Sequence, residues 1–568
     1  MIPGHAAFKV EIKKLKFETE AGIKFPGTAL IQFQVKDREK PVVELMGFME
    51  EKEIYNAIDR GDVLNLDHCY IEKFSLKDYR LTRNMEPREK VILKGFTAKN
   101  SLFSGQATLD FSHAVFEGEA FSLDQAWISR GDIIFESSRF KTNMVSFHNT
   151  RLPDGYFNFK NVSLESAEVT FKNCQFGTGE KDFQYASFGT GNLSFINTDF
   201  SDGNVNFINT DFGRGDISFK VSRFGEGWVD FHFATFKDGN TSFERTEFGN
   251  GRVDFRTVEF GTGRVNFNRS VFGVGEVSFD ECEMDSGKFS FKRAEFGSGD
   301  ISFEEVMFEH IDVSFERTSF GDGKISFYNS WFHTLSLRFC HLNGFVDLRV
   351  NQSQSIDLSN SIVRDIIDIN PHEFAARIQT ISMAGMRLIG RIYVDWKLNN
   401  MKQLINSQPE STQRIKAEQF RILKENFKNL GLYNDEDRAY VAFKRAESKA
   451  ELAESQAKSS INALLHYPFY WFKLGLFDKA GLYATSPVRV LLTMLTFFVL
   501  FSFTYFLLMV NTNADIIASV DDQLSTLSRA FYHSAITFLT IGYGDQYPFG
   551  SIRWVSSIEG FFVLFLMS

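Results

Sequence analysis

The chain has 568 residues and a formal net charge of -10. Its length exceeds what one compact core supports and predicts two or three domains, and its mild acidity argues against nucleic acid as a partner. The four cysteines, Cys69, Cys174, Cys282 and Cys340, are far apart and lack the spacing of metal ligands, so they predict reduced thiols. Phenylalanine occurs 65 times, an excess that indicates a repeated structure.

Residues 1–95 mix alternating segments, such as 29–35, with one helical stretch at 50–62. No apolar run near the start resembles the core of a signal peptide, which indicates that the part of the chain before the membrane segments remains in the cytoplasm. An open end of a β-structure invites pairing between chains. We therefore expect residues 1–95 to form a domain that caps the first coil of the repeat that follows.

A twelve-residue repeat occupies residues 96–395. Counted back from Phe339 in steps of twelve, 19 of the 20 positions down to Phe111 are Phe, and Leu123 is the exception. A second Phe column, offset by seven, runs from Phe176 to Phe332 with one Met. Aliphatic residues two positions before the first column, with a small polar residue between, predict short strands with the apolar side chains inward and the polar one outward.

Short strands, glycine at regular turns and identical side chains in register predict a parallel β-solenoid. The pattern resembles the pentapeptide-repeat solenoids, although spacings of five and seven alternate here. A coil made of one twelve-residue repeat, with two strands, and a coil made of two repeats, with four strands, both fit the period. We favour the 24-residue coil of two repeats, because two sheets about 10 Å apart leave little room for two aromatic rings.

The repeat explains motifs that could otherwise suggest a binding site. Gly-x-Gly pairs, such as Gly261 and Gly263, are followed by neither Lys-Ser/Thr nor a helical pattern, so they predict turns rather than phosphate loops. Asp recurs too irregularly for a calcium-binding β-roll. Between Phe188 and Phe332 the chain has 24 acidic and 14 basic residues. Such a rod could mimic DNA, but a solvated surface explains the charge more simply.

Residues 396–465 change to a helical period. Phe420, Leu423 and Phe427 fall on one side, and Gly431 is the predicted stop of the first helix. A second helix follows, so this linker is expected to be an α-helical hairpin between the solenoid and the membrane. The charged helix face near its end is interpreted as solvated, and a coiled-coil contact among subunits is the alternative.

Residues 488–568 carry the pattern of a membrane domain. The stretch 490–510 contains no charged residue and is long enough for one span, which needs about 20 apolar residues. Residues 524–539 are too short and too polar to span and predict a re-entrant pore helix. A second span starts at 552 and is expected to be incomplete, because the segment 552–568 is shorter than the roughly 20 residues that cross a bilayer.

The charges around the first span indicate its orientation. Positive residues precede the span and acidic residues follow it, which places the N-terminal side in the cytoplasm. The positive residues are Lys479 and Arg489, and the acidic ones are Asp515, Asp521 and Asp522.

The segment 540–545 reads Thr-Ile-Gly-Tyr-Gly-Asp. It resembles the selectivity filter of the potassium channel family, with Ile541 where valine is commonest, and Tyr547 followed by proline also fits that family. The resemblance implies that the carbonyl oxygens of four copies meet on one axis and replace the hydration shell of potassium ions, together with the first threonine hydroxyl. Glycine supplies the positive φ angles that such a loop needs. The implied ion-binding residues are Thr540, Ile541, Gly542, Tyr543 and Gly544.

The resemblance also covers the pore helix. In the family, aromatic residues along this helix brace the filter, and the matching positions here are Phe531, Tyr532 and His533. His533 replaces an expected aromatic residue and is interpreted either as a packing residue or as a group that titrates at about pH 6 to 7 and tunes the current. Some relatives place Glu four residues before the filter, where Ile536 stands, so no carboxylate clamp to Asp545 is expected.

Further support is expected from residues outside the pore helix. Asp545 and Tyr547 follow the filter directly. Glu559 lies in an apolar run, which is costly unless it faces protein or water, and we expect it to brace the back of the filter. Gly560 is a possible hinge. Aromatic residues and lysines at 466–487 indicate an interfacial helix, similar to the slide helix of two-span potassium channels.

Together these patterns predict a mixed fold: a long parallel β-solenoid, an α-helical hairpin and an all-α pore domain. The predicted function is a subunit of a homotetrameric potassium channel in the cell (inner) membrane, with potassium as the permeant ion and no cofactor. The cytoplasmic solenoid is then a regulatory or scaffolding arm for a protein or ligand. The alternative is a membrane-anchored interaction protein with a vestigial pore. No nucleophile–base pair, metal cluster or phosphate loop indicates an enzyme.

Overall fold

The computed structural model describes residues 7–34, 40–104, 108–165, 167–371, 376–458, 460–519 and 524–567. Val35, Asp521, Asp522 and Ser568, which enter the predictions above, lie outside the described residues. The chain divides into two compact units, Met1–Gln408 and Pro409–Ser568. The first unit contains the β-structure and the second is helical.

An antiparallel sheet begins the first unit. Ala7–Lys13 pairs with Gly27–Gln34, which in turn pairs with Val42–Phe48. The apolar face of this sheet packs against Trp127 of the solenoid. Val42–Phe48 then pairs in parallel with Cys69–Ile71, so the sheet continues directly into one side of the solenoid.

Two helices accompany this sheet. Helix α1 (Glu51–Arg60) ends at Gly61 with φ 71°, and α2 (Leu76–Thr82) follows. The Tyr79 hydroxyl donates to Asp59 Oδ1 at 2.8 Å. Burial and this bond to a carboxylate raise the pKa of Tyr79 to about 12, so the phenol stays protonated and ties α2 to α1. A short hairpin completes the segment, with the strands Phe17–Glu18 and Lys24–Phe25.

The solenoid has four sides, and most of its coils have the same length. Val205 pairs in parallel with Val229, one coil later. Within one coil, Leu193–Ser194 forms side 1, the bridge residue Asp199 lies on side 2, and Val205–Asn206 forms side 3. Side 4 follows, and the next coil begins. This register confirms the predicted parallel solenoid and its 24-residue coil.

The strands of each side stack in register. Side 1 contains Leu64–Asn65, Phe96–Thr97, Ala120–Ser122, Met144–Ser146, Glu168–Thr170, Leu193–Ser194, Ile217–Ser218, Thr241–Ser242, Arg264–Asn266 and Lys288–Ser290. Side 2 contains Cys69–Ile71, Leu102–Phe103, Trp127–Ile128, Val271–Phe272, Glu295–Phe296, His341–Leu342, Ile362–Val363 and Arg387–Leu388, with isolated bridges between them. Side 3 contains Leu109–Asp110, Ile133–Ile134, Phe157–Asn158, Lys181–Asp182, Val205–Asn206, Val229–Asp230, Val253–Asp254, Val277–Ser278, Ile301–Ser302, Ile325–Ser326, Val346–Asp347, Ile366–Asp368 and Arg391–Tyr393. Side 4 contains Val91–Leu93, Ala114–Glu117, Arg139–Lys141, Ser163–Leu164, Thr235–Phe236, Glu259–Phe260 and Glu283–Met284. In the last coils sides 4 and 1 share one strand: Met307–Ser314, Trp331–Ser336, Gln352–Asp357 and Arg377–Ser382.

Stacked phenylalanine rings fill the core of the solenoid. Phe195 stacks on Phe219 with ring centroids 4.8 Å apart, and Phe207 stacks on Phe231 at 4.7 Å. Between columns, Phe207 meets Phe219 edge to face at 5.8 Å. Such ring pairs contribute about 0.5–1.5 kcal/mol each beyond the burial of their area. The predicted Phe columns are therefore the core, with one ring from each side of a coil.

A hydrogen-bond ladder at the corners escaped the sequence analysis. The residue two positions after each first-column Phe has a positive φ, as at Asn197 with 54°. The next residue, Thr198, donates its hydroxyl to the Phe171 carbonyl of the preceding coil at 2.7 Å. Thr210 repeats this contact one corner later. The signal was available, because small residues recur every twelve positions at this place.

Three of the four cysteines occupy positions in this ladder. Cys282 Sγ donates to the Phe255 carbonyl at 3.0 Å, as the threonine hydroxyls do. Burial raises the pKa of the Cys340 thiol to about 12 and also raises the pKa of Cys174 and Cys282. All four cysteines are buried and free, which agrees with the predicted reduced thiols.

The coil shortens near the end of the solenoid. Ser290 pairs with Ser314, but Ser314 then pairs with Ser336, so this coil is shorter by two positions than the one before it. The column of Phe315 therefore continues with Leu337, which is fully buried, whereas Phe339 is 38% exposed and has φ 57°. The prediction that Phe339 belongs to the first column is wrong, because sides 4 and 1 have merged into one strand.

The polar residue of each strand is not uniformly outward. On side 3, Asn206, Asp254 and Ser278 are 4%, 3% and 1% exposed. Asn206 Oδ1 accepts the Ile208 N–H at 3.0 Å, and Asp254 Oδ1 accepts the Arg256 N–H at 3.0 Å. The polar residue that was predicted to face outward is therefore buried at these three positions, and the Asn206 and Asp254 side chains turn back to close the corner after the strand.

The second unit is helical. The remaining helices of the chain are α3 (Met401–Asn406), which belongs to the first unit, and α4 (Gln413–Leu430), α5 (Tyr433–Lys458), α6 (Ser460–Phe472), α7 (Pro487–Asn511), α8 (Thr526–Phe538) and α9 (Ile552–Met567). Helix α4 ends at Gly431 with φ 73°, and α5 follows after one further residue, so the predicted αα-hairpin is present. The segment predicted as one interfacial helix is divided into the end of α6, a π-helical turn Lys473–Ala480 and a 3₁₀ turn Leu482–Ala484.

Lys181 interrupts the apolar core column of side 3. Its neighbours in the column are Phe157 and Val205, and Lys181 is 1% exposed. Its ammonium donates to the Asp202 carbonyl at 2.8 Å. Burial lowers the pKa of Lys181 to about 8. Below that pH the folded state must bury a charge that the unfolded state leaves in water, so this lysine destabilises the fold.

Replacing this lysine should stabilise the solenoid. We expect Lys181→Val to raise the free energy of unfolding by about 1–3 kcal/mol at pH 7. Between pH 8 and 10.5 the unfolded state of the native chain binds more protons than the folded state, so native stability rises and the gain shrinks. Urea unfolding of the full chain at pH 7 and pH 10 checks this, with the exposed Lys172→Val as control. An equal gain at both pH values would contradict the explanation.

Candidate functional site

The helices α7, α8 and α9 form the candidate site. Among the described residues, α7 is the one helix long and apolar enough to cross a membrane, with a mean hydropathy of 2.2 in its most apolar window. Tyr505 of α7, Ala530 of α8 and Ile552 of α9 belong to one buried cluster. The three helices therefore pack on one another, while the remaining faces of α7 stay exposed.

Helix α8 leads directly into the segment predicted as a filter. It begins at Ser525, whose side chain accepts the Ser528 N–H at 3.2 Å. At its other end the Thr540 N–H donates to the Thr537 carbonyl at 3.1 Å. The filter therefore starts at the C-terminus of α8, where the helix dipole is negative and favours a cation.

The filter backbone alternates in conformation. Thr540, Gly542 and Gly544 have φ of 53°, 58° and 74°. A Cβ on either glycine would meet nothing within 4 Å. Positive φ angles, rather than a lack of room for a side chain, therefore explain the two glycines, since residues with a Cβ adopt positive φ at a cost.

The filter lacks a core of its own within one chain. Ile541 is 45% exposed and Tyr543 is 69% exposed. These two side chains therefore bury little of their surface within one chain. The five predicted ion-binding residues lie together on this loop, and their role remains a prediction.

Contacts from two other segments hold the end of the filter. Tyr532 of α8 donates its hydroxyl to Asp545 Oδ2 at 2.7 Å. Ser519 Oγ donates to the Gly544 and Asp545 carbonyls at 3.1 and 2.8 Å. Tyr547 lies in a short antiparallel pair of strands, Ile516–Ala518 and Gln546–Pro548. The Tyr532–Asp545 bond joins two residues of the predicted support, while Ser519 gave no signal in the sequence.

Glu559 of α9 is fully buried between the helices. Its Oε1 accepts from the Ser534 hydroxyl of α8 and its Oε2 accepts from the Tyr505 hydroxyl of α7, each at 2.5 Å. One carboxylate therefore bonds all three helices, and its predicted role as a brace of the filter stays a prediction. Ser534 and Tyr505 were missed, although a hydroxyl in each apolar helix was the available signal.

His533 and Gly560 lie beside this carboxylate network. His533 is 3% exposed, its Nε2 is 3.3 Å from Ser556 Oγ, and its ring meets the Tyr505 ring edge to face at 5.2 Å. It packs between helices and has no contact with the filter among the described contacts. Gly560 has open space around its Cβ position, so the close approach of another element does not explain it.

An ion pair between a buried carboxylate and a partly exposed guanidinium bonds the hairpin to the π-helical turn before α7. Asp478 of the π-helical turn is 4% exposed and accepts from the Arg445 guanidinium of α5 at 2.6 and 3.0 Å. Thr493 of α7 donates its hydroxyl to the Ala480 carbonyl at 2.8 Å. The π-helical turn is therefore bonded to both α5 and α7, and the bidentate guanidinium–carboxylate geometry fixes the contact to α5.

One side-chain group in the solenoid has the composition of a metal site. Ligand atoms of Asp230, His232 and Asp254 lie within 4.8 Å of one another. Arg252 and Arg256 already bond the Asp254 carboxylate, each at 2.7 Å. Although burial opposes it, these guanidinium groups hold the pKa of Asp254 below its usual value. Because the guanidinium groups of Arg252 and Arg256 already bond its carboxylate, Asp254 is poorly suited as a metal ligand. We therefore assign no metal to this group.

Comparison with known proteins concerns the C-terminal segment. Residues 488–568 match the model of a family described as "Ion channel". Protein LctB of Bacillus caldotenax is 38% identical over 69 residues, which are 11% of this chain and 52% of that protein. The chain thus spans about half the length of this curated relative. No solved structure matches the chain. The C-terminal segment carries an ion-channel domain, and its predicted relation to the two-span channel family is confirmed.

The buried carboxylate network should stabilise the helix packing. We expect Tyr505→Phe to lower the free energy of unfolding by about 1–3 kcal/mol, because a buried carboxylate loses one of its two donors. The matched control is Thr504→Val, since this neighbouring hydroxyl is exposed and bonds only its own helix at the Leu500 carbonyl. Thermal denaturation of the full chain in detergent measures both. Equal midpoints for the two variants would contradict the role of the network.

Proposed function

We propose that the chain is the subunit of a potassium-selective channel in which four copies surround one pore. The observation that carries this proposal is the filter segment, whose alternating backbone, exposed side chains and tethered end suit a loop completed by other copies. One loop supplies one wall of a filter, and four are needed to replace the hydration shell of the ion. The ion-channel family of residues 488–568 supports this reading.

The proposed orientation places the solenoid in the cytoplasm and the chain in the cell (inner) membrane. Arg489 precedes the apolar part of α7 and Asp515 follows it, and positive residues favour the cytoplasmic side. Exposed aromatic residues before α7, including Tyr467, Phe469 and Trp471, suit the interface between lipid and water. The solenoid is then a regulatory or scaffolding arm, and we propose neither a cofactor nor an enzymatic activity.

Flux through reconstituted liposomes tests the pore. We expect the full chain to pass potassium in preference to sodium and Gly542→Ala to abolish the flux, because Ala resists the positive φ at this position. Gly475→Ala is the matched control, since Gly475 has no positive φ and open space around it. Equal sodium and potassium flux would contradict selectivity. Absence of flux in the native chain would favour a membrane-anchored interaction protein with a vestigial pore.

Deletion of the first unit tests its regulatory role. We expect a chain of residues 409–568 to conduct potassium with an altered open probability, because the proposed regulatory arm is then absent. Single-channel recording in planar bilayers compares it with the full chain. Identical open probability and identical dwell times would show that the solenoid does not regulate the pore.

A further inference from the structure

Two diagonally opposite corners of the solenoid carry opposite charges in the same coils. One corner joins sides 1 and 2, and the other joins sides 3 and 4. The arginine ladder, on the first corner, consists of Arg245, Arg269, Arg293 and Arg317. The glutamate ridge, on and beside the second corner, consists of Glu259, Glu281, Glu283 and Glu305.

The arginine ladder is exposed, and the exposed Glu247 and Glu295 lie two positions after two of its members. Its four members are one coil apart, all are exposed, and none forms an ion pair with another described residue. The neighbouring acids Glu244 and Glu316 pair instead with Lys220 and Lys292 at 3.5 and 3.0 Å. Arg317 lies over the Phe339 ring, with its Cζ atom 5.4 Å from the ring centroid. Guanidinium groups in register one coil apart repel one another, and this repulsion is a cost to the isolated solenoid.

The ladder also contradicts the local backbone preference. In earlier coils the same corner positions hold Asn149, Asn173 and Asn197, and asparagine tolerates positive φ better than most residues. From Arg245 to Arg317 the φ angles remain positive, at 58° to 62°. Asparagine is already absent at Val221, and from Arg245 onward the strained position is occupied by a charged residue in each coil.

The glutamate ridge shows the same two features with the opposite sign. Glu259 pairs directly with Glu283 in the parallel strands of side 4, where like charges are destabilising. Glu281 and Glu305 occupy corner positions with φ of 57° and 59°. All four carboxylates are exposed, and none forms an ion pair with another described residue.

We propose that the arginine ladder of one chain docks on the glutamate ridge of a second copy of this chain. The spacing of the charges selects this partner. The ladder has one arginine in each of four successive coils, and the ridge has its glutamates in three successive coils, so opposite charges can face each other over three coils at the shared spacing of about 4.8 Å. An extended acidic peptide repeats on one face at about 6.6–6.8 Å, and each strand of duplex DNA at about 3.4 Å. Neither stays in register with the ladder.

The contact is head to tail, because each copy uses two different patches. Such a heterologous interface closes into a ring if the rotation between copies allows it, and otherwise continues into an array. A ring of four would join the solenoids of one channel, whereas an array would join neighbouring channels. The ladder and ridge supply the same chemistry in both cases. The proposal does not require the pore to conduct, so it is tested independently of ion flux.

Disulfide crosslinking of the full chain in lipid nanodiscs tests the contact. Arg293→Cys and Glu305→Cys are introduced into one chain and oxidised with copper phenanthroline at low salt, and the four native cysteines are buried and contribute no background. We expect a series of crosslinked products on a non-reducing gel. A series that ends at four chains indicates a ring, and a longer series indicates an array. Absence of crosslinks, or crosslinking by Arg293→Cys alone, would overturn the head-to-tail contact.

Charge reversal and a matched corner pair complete the test. Arg269→Glu with Arg317→Glu should reduce crosslinking about tenfold or more, and adding Glu281→Arg with Glu283→Arg should restore it. Asn250→Cys with Thr262→Cys places cysteines at exposed positions on the other two corners and should yield monomers. Crosslinking that is insensitive to charge reversal, or equal at both corner pairs, would overturn the proposal. Circular dichroism confirms that each variant is folded.

Discussion

The stack of phenylalanine rings is the contact on which the first unit depends. Rings of successive coils lie 4.4–4.8 Å apart at positions such as Phe212 on Phe236 and Phe195 on Phe219. This distance equals the spacing of hydrogen-bonded strands, about 4.7–4.9 Å. Ring stacking and strand pairing are therefore satisfied by the same rise per coil. The four-sided coil follows from one ring per side and one turn per corner.

This constraint also explains the surface of the solenoid. Because the coils stay in register, any residue type repeated at one corner becomes a straight row of equal side chains. A row of threonine or serine hydroxyls donates hydrogen bonds to backbone carbonyls, as Thr198 does. A row of arginine or glutamate accumulates charge. The pore domain has a different basis. Its helices meet around one buried carboxylate, Glu559, because in lipid a charge needs polar partners from the protein itself.

The period of the sequence predicted the strands of the coil, whereas exceptions to the period were not predictable. Phe at every twelfth position indicated the strands and the inward side chains, while the room that two rings need, rather than the period, favoured the 24-residue coil over the twelve-residue one. Phe339 fits the same spacing but leaves the core, because the merger of two sides shortens the coil and only pairing reveals this. Lys181 and Asn206 likewise stand at regular positions of the repeat. Their burial depends on the neighbouring coils and could not be inferred from the repeat.

In the pore domain, the sequence motif predicted the filter segment and the helix before it, whereas most of the contacts between the helices were not predictable. The filter, the pore helix and a role for Glu559 were inferred from residue types, whereas Ser534, Tyr505 and Ser519 have no sequence spacing that links them to the filter. Hydroxyl groups in apolar helices usually bond their own backbone. Only the three-dimensional contact distinguishes Tyr505, which bonds Glu559, from Thr504, which bonds its own helix.

The most direct measurement is a cryo-electron microscopy map of the full chain in nanodiscs containing potassium. We expect four chains around one axis, with the Thr540 to Gly544 carbonyls facing that axis and ion density between them. A particle of one or two chains would contradict the central claim, and so would four filter loops that remain apart.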